Sequence, residues 1–301
     1  MFSERDTEKE KKAFKIKYIY QAFGISKQAY YQRLERDRQQ ALTNEKVIKM
    51  VLDYRKKLPQ TGTRKLYFIL SKQFKEEGIK MGRDKFNDLL RSRGMLIKRT
   101  KRFHITTDSK HYFYTSPNLL KNIEISYSEQ VFVSDITYIK TDAGHAYLAL
   151  VTDAYSRKIM GWSLEANMKV GMVKEALDMA HKKCVFNHKT IIHHSDRGIQ
   201  YCCPDYTQFA DKKGFIMSTT QQYDPYENAI AERINGILKY EFGLKNTIKS
   251  VKLAQAIVRE AIGLYNNERM HLSLDYKVPQ EFHLQYNKQK NKSYKKVDKF
   301  K

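Results

Sequence analysis

The chain changes its rhythm of apolar and polar positions near residue 130. Before that point apolar residues recur at helical spacing: Leu66, Ile69 and Leu70 in one segment, Phe86, Leu89 and Leu90 in another. After it, QVFVSDITYIK alternates with a period of two, TDAG supplies a hairpin turn, and HAYLALVTD reads as a second strand. KIMGWSL reads as a third. Helix and strand then take turns: MKVGMVKEALDMAHKK helical, KTIIHHS extended, PDYTQFADKKG helical, FIMST extended. Two longer helices, PYENAIAERINGILKYEF and SVKLAQAIVREAIGLYNNER, close the pattern. Three antiparallel strands followed by alternating helix and strand predict an α/β fold, a mixed sheet with helices packed on it.

The upstream pattern is all-α. KKAFKIKYIYQ, a turn at Gly24 and a segment capped by Ser26 outline one helix-turn-helix. A second such unit follows, interrupted by GIKMG and stopped at Gly94. The predicted organisation is a helix-turn-helix-like segment at 1–43, a second helix-turn-helix module at 44–99, a linker at 100–127, the α/β core at 128–286 and a tail at 287–301.

Charge sharpens this division. The net charge is +23, but residues 1–125 hold 30 Lys and Arg against 14 Asp and Glu, and the last fifteen residues hold seven Lys and one Asp. The middle is close to neutral. Basic modules flanking a neutral core point to a polyanionic partner, nucleic acid above all. Arg83, Arg91 and Arg93, opposite the apolar stripe of their helix, are candidates for phosphate contacts. No run approaches the roughly 18 apolar residues that a membrane span needs. The charged N-terminus and three cysteines, two of them adjacent, fit a reducing cytoplasm. No GxxxxGK[ST] loop for a nucleotide occurs.

The stretch HHSDRGIQY, 193–201, carries the chemistry. His193 and His194 are adjacent on a strand and point to opposite faces, and Cys202 and Cys203 are adjacent too. Neither pair has a spacing that lets two ligands reach one zinc ion, so one histidine is expected in the core. Asp196 falls just past a strand's C-terminal end, where open α/β sheets place their ligands. Asp135 shares a strand face with Val131, Val133 and Thr137, a costly place for a carboxylate unless a positive charge meets it. Glu232 points away from the Ile230, Ile234 and Ile237 stripe, on the side of its helix that carries Asn228, Asn235, Gly236 and Lys239. Asp142 and Asp153 are rivals at hairpin turns, where Asp is common for turn reasons, and Glu227 is a rival to Glu232.

Taken together and in order, VSDITYI, YLALVTDAYSRKIMGW, HHSDRGIQY, YDPYENAIAERINGILKYE and YNNERMHLSLDYKVPQEF resemble the catalytic half of bacterial insertion-sequence transposases. The subgroup is the one whose second reading frame encodes an integrase-like part, within the superfamily of retroviral integrases. The resemblance covers about 130–285, and 44–100 is similar to the helix-turn-helix segment that precedes the core. It implies a ribonuclease H-like fold and an Asp-Asp-Glu triad on Asp135, Asp196 and Glu232, with 35 residues between the last two. It implies two Mg²⁺ or Mn²⁺ ions, with Asp135 bridging them. It also implies Lys239 on a phosphate near the element's end, Arg197 and Asn228 as further DNA contacts, and cleavage then joining of DNA. The implied partners are terminal inverted repeats, target DNA, further copies of the chain and the product of an upstream frame. Where the family often has Ser, this chain has Arg233. The alternative is a catalytically silent relative that regulates by binding specific DNA.

Overall fold

The computed structural model describes residues 18, 21–97, 112–186, 190–221 and 228–285. The expected basic tail, the first predicted helix except Tyr18 and Gln21, residues 98–99 of the second module, residues 100–111 of the expected linker and the rival Glu227 lie outside them. Among the described residues, no helix is long and apolar enough to cross a membrane.

Five strands form one sheet: β1 (Val131–Thr141), β2 (Gly144–Asp153), β3 (Ile159–Glu165), β4 (Ile191–Ser195) and β5 (Phe215–Thr219). Their order is β3-β2-β1-β4-β5, with β1, β2 and β3 antiparallel and β4 and β5 parallel to β1. This is the mixed sheet that the alternation predicts. The hairpin closes at Gly144, whose φ of 118° no L side chain adopts cheaply.

Helices cover both faces. Helix α4 (Val170–Lys182) and helix α6 (Pro204–Lys212) lie on one, joined in a core with Phe132, Ile136, Met160 and Phe215. Helix α7 (Ala229–Glu241) and helix α8 (Val251–Asn267) lie on the other, with Ile139, Leu148, Leu150 and Leu164. The alternating strand β1 therefore feeds two cores, even positions to one and odd positions to the other. A short helix, α5 (Ile199–Cys202), links β4 to α6.

The N-terminal part is helical: α1 (Lys27–Lys57), α2 (Thr63–Glu76) and α3 (Arg83–Ser92). The Ser26 side chain caps α1 by accepting from Ala29 N, and Gly24 and Gly94 turn with positive φ, as expected. The expected boundary at 43/44 is not a boundary. Helix α1 runs through it and contributes Val47 and Val51 to the core of α2 and α3. A polar helix half needs no break when its other half is packed. The module leans on the α/β core through Lys57–Glu268 at 3.4 Å and through Phe68 stacked on Tyr276, with ring centroids 4.1 Å apart. The described part of the expected linker is strapped to the core: Ser116 O accepts from Thr219 Oγ1 and Gln221 Nε2, and Leu119 N donates to Ser218 Oγ.

A buried ionic cluster pins the C-terminal end. His283 sits between Glu129 and Asp153, all three with buried side chains, at 3.1 and 3.2 Å. Val185 N and Phe186 N donate to Glu129, while Glu129 N and Ser156 N donate to Asp153. Asp153, a rival for the triad, is thus spent on structure. Burial lowers the affinity of His283 for a proton, but the bonds to Asp153 and Glu129 more than offset this, and its pKa ends above the ordinary 6.5. The stabilisation it brings is full below the unfolded value and fades as pH rises through the raised folded value. His283→Leu is expected to cost about 3–5 kcal/mol at pH 6, the scale for leaving buried charges without a partner. Denaturant unfolding at pH 6 and at pH 9 should show the gap to wild type narrowing at the higher pH. A gap independent of pH would mean that His283 is neutral in the folded chain.

Candidate active site

Register brings the first two carboxylates together. Strands β1 and β4 are parallel, and Ser134 pairs with Ser195 at the end of their ladder. Asp135 and Asp196 are the next residues on each, so they sit on neighbouring strands at one level. Asp196 is held by an Asx turn, its Oδ1 accepting from Gly198 N at 3.1 Å, which also starts helix α5. Ser134 is clamped from two sides. Its Oγ bonds His193 Nε2 at 2.8 Å, and its carbonyl accepts from Asn228 Nδ2 at 3.0 Å.

Helix α7 lies over this point. Asn235 Nδ2 donates to Asp135 Oδ2 at 2.8 Å, and Lys239 places its ammonium 4.1 Å from the centre of the Tyr138 ring. Glu232 is on the same face, three residues before Asn235, and is exposed. The apolar side of the helix explains its seat: Ile234, Ile237 and Leu238 enter the core beneath β1 and β2.

The electrostatics of the three carboxylates are coupled. Burial raises Asp135 most, Asp196 adds repulsion, the Asn235 bond opposes it, and Glu232 adds a smaller push, leaving Asp135 at about 8. Asp196 therefore acts on Asp135 more strongly than Glu232 does. Burial lowers the Lys239 pKa while Asp135 opposes that shift, so the ammonium belongs to the same site. Among the described residues, no three His, Cys, Asp or Glu side chains stand close enough to share one ion. A carboxylate half-buried beside two others, with all-oxygen donors around it, still fits a hard divalent cation in kind.

The other sequence candidates fall elsewhere. Asn228, expected as a DNA contact, is 6% exposed, and its amide nitrogen donates to the Ser134 carbonyl, tying the start of α7 to β1. Arg197 is half-buried beside Asp196. Arg83, Arg91 and Arg93 are exposed on or beside α3, paired with Asp84, Asp88 and Glu45, far along the chain from the carboxylates. Both histidines of the HH pair are buried, where one was expected. His193 contacts Ser134 and Tyr206, and His194 Nδ1 meets Ser218 Oγ at 2.9 Å. Burial lowers His193 to about 3, so the ring stays neutral. The contact of Asn235 with Asp135 escaped the sequence reading, which noted only the shared helix face.

A mixed sheet in this order, with one acidic residue inside β1, a second just past the end of the adjacent parallel strand β4 and a third on a covering helix, has the ribonuclease H-like architecture. Comparison with known proteins agrees. Integrase core domain models match residues 127–225 and 213–279. The 31 kDa protein of insertion element IS600 from Shigella sonnei is 30% identical over 270 residues, 88% of this chain and 97% of that protein. The transposase of insertion sequence element IS629 from Shigella sonnei is 29% identical, over 73% of this chain and 72% of that protein. Among solved structures, the HTLV-2 integrase catalytic core domain in complex with magnesium is 15% identical, spans 52% of this chain and 97% of that one, and has a TM-score of 0.41. The chain belongs to the integrase-core family of insertion-sequence transposases, polynucleotidyl transferases of the Asp-Asp-Glu superfamily.

Proposed function

We propose that this chain cuts the ends of an insertion sequence and joins them to target DNA through Asp135, Asp196 and Glu232. The observation that carries the reading is that Asp135 and Asp196 each follow the last paired residues of β1 and β4, under a helix face bearing Glu232, Asn235 and Lys239. Asp135, Asp196 and Glu232 would hold two divalent ions, Mg²⁺ or Mn²⁺, which when bound neutralise charge growing on the attacking and leaving oxygens. Asn235 fixes the orientation of the Asp135 carboxylate by donating to its Oδ2. Lys239, on the same face, offers its ammonium to a phosphate next to the reacting one. Tyr138 lies under that ammonium and restrains it.

The basic helices α1, α2 and α3 would bind the terminal repeats. A groove of about 620 Å³ between the end of α1, the end of α7 and helix α8, lined by Lys56, Lys57, Lys239 and Lys245 with Glu241 and Glu260, offers a path for the backbone. Handling two ends calls for more than one copy on DNA, and an upstream-frame product is a further partner.

The test is incubation of the full chain with labelled element-end duplex and a target plasmid in Mg²⁺, Mn²⁺ or EDTA. Nicked end and joined product in either metal, and neither in EDTA, are expected. Tight binding with no cutting in any metal, with the upstream-frame product also supplied, would instead identify a DNA-binding regulator.

A further inference from the structure

A second basic cavity lies on the neighbouring face of α7. It measures about 370 Å³ and opens between the helical module and the core. Lys65 enters from α2, Arg157 from the turn after β2, Arg233 from α7, and Arg269 and His271 from the segment after α8. Arg269 is 4% exposed and satisfied by Glu241, which accepts from Nε at 2.7 Å and from Nη2 at 2.6 Å. Its Nη1 meets His271 Nε2 at 2.9 Å. The Arg157 guanidinium is anchored on the Ala154 carbonyl, and its backbone has a φ of 63°, unusual for a residue with a side chain. Lys65 and Arg233 make no hydrogen bond or ion pair with the described residues. All four cations act electrostatically on His271.

Four cations thus line the cavity and no carboxylate does: Glu241 is committed to Arg269, and Asp153, which acts on Arg157, is committed to His283. Like charges gathered at a part-buried site are costly unless something supplies the missing negative charge. Two guanidinium forks and an ammonium, brought from three different elements, suit an anion that offers oxygens in several directions, as a phosphate does. Arg233 follows Glu232 directly, turned by about 100° around the helix. A phosphate here would bridge the module and the catalytic helix.

We propose that this cavity is a phosphate-binding subsite that takes a backbone phosphodiester of the DNA, seating the duplex between the helical module and α7. The proposal rests on the transposase reading. Free inorganic phosphate has the same chemistry, so the experiment separates the two sources. The full-length chain is compared with Lys65→Ala, Arg233→Ala, the double variant, and Arg259→Ala, which removes an exposed charge of α8 outside the cavity. Fluorescence anisotropy with element-end duplex should show the double variant binding about ten- to a hundredfold more weakly, with the slope of log K against log salt reduced by about one to two. Thermal unfolding of the free protein should show the double variant as stable as wild type or more so, because a repulsive cluster has been relieved. Phosphate, against chloride at equal ionic strength, should raise the wild-type melting temperature more than that of the double variant.

Duplex affinity within about twofold of Arg259→Ala would overturn the proposal, since lost phosphate contacts must lower affinity. If the phosphate-induced shift is lost in the double variant while duplex affinity holds, the cavity serves free phosphate and the DNA assignment is wrong. Failure of the transposase reading looks different: the wild-type chain then binds the duplex and cuts it in no metal, while the affinity arms still read the subsite; a wild-type chain that does not bind the duplex at all overturns the DNA assignment as well.

Discussion

Asp196→Asn is expected to abolish cleavage and joining while leaving DNA binding intact. The substitution keeps the shape of the side chain, so the Asx turn to Gly198 N survives, because the amide oxygen still accepts. What disappears is one negative charge beside Asp135. A neutral amide is a poor ligand for a hard divalent ion, and the site loses charge stabilisation where the reaction develops it. The loss should reach about 10³-fold or more, equivalent to roughly 4 kcal/mol of transition-state stabilisation. Relief of the repulsion on Asp135 should make the free protein slightly more stable, the usual mark of a site kept for function. Asn235→Ala should fall between wild type and Asp196→Asn, since it frees Asp135 without removing a carboxylate. The measurement is single-turnover cleavage of end-labelled duplex, with melting curves alongside. Cleavage within tenfold of wild type would move the chemistry away from Asp196.

Gly161→Ala is expected to destabilise the fold strongly although it adds a single methyl group. Gly161 lies in β3 where α4 crosses the sheet. A Cβ there would run into the Ala176 carbonyl oxygen and come within 2.7 Å of Ala180 N and 3.0 Å of Ala180 Cβ. Two of these are backbone atoms, which cannot rotate away. Helix α4 would have to lift, and Met172, Val173, Ala176, Leu177 and Ala180 would lose contact with the sheet. Overpacking costs of about 1–3 kcal/mol are usual, and a backbone clash belongs at the top of that range or above it. Gly263→Ala is the matched control. Its Cβ would meet nothing within 4 Å, and it lies inside α8, so Ala should gain about 0.5–1 kcal/mol. Thermal unfolding of the two variants should move in opposite directions. Gly161→Ala melting alongside wild type would mean that the strand and helix are not in close contact.

The sequence by itself determined the elements, and through the family resemblance the chemistry. Period-two alternation in QVFVSDITYIK, the TDAG turn, the Ser26 cap and the turn at Gly94 are local, so a strand or helix declares itself from its own residues. The carboxylates Asp135 and Asp196 stood out because an acid is costly inside an apolar strand and informative at a strand's end. Tertiary structure decided what those residues meet. Asn235 reaches Asp135 across 100 positions, and Glu129 finds His283 across 154. The basic cavity collects Lys65 and Arg269 from opposite ends of the chain. Asn228, on the helix face read from the sequence, finds the Ser134 carbonyl across 94 positions. The 43/44 boundary failed for the same reason, since only packing against α2 and α3 shows that one helix continues through a polar stretch. Local periodicity encodes which face a residue occupies. The partner on that face is set by register and by the docking of distant elements, which no window of neighbouring residues contains.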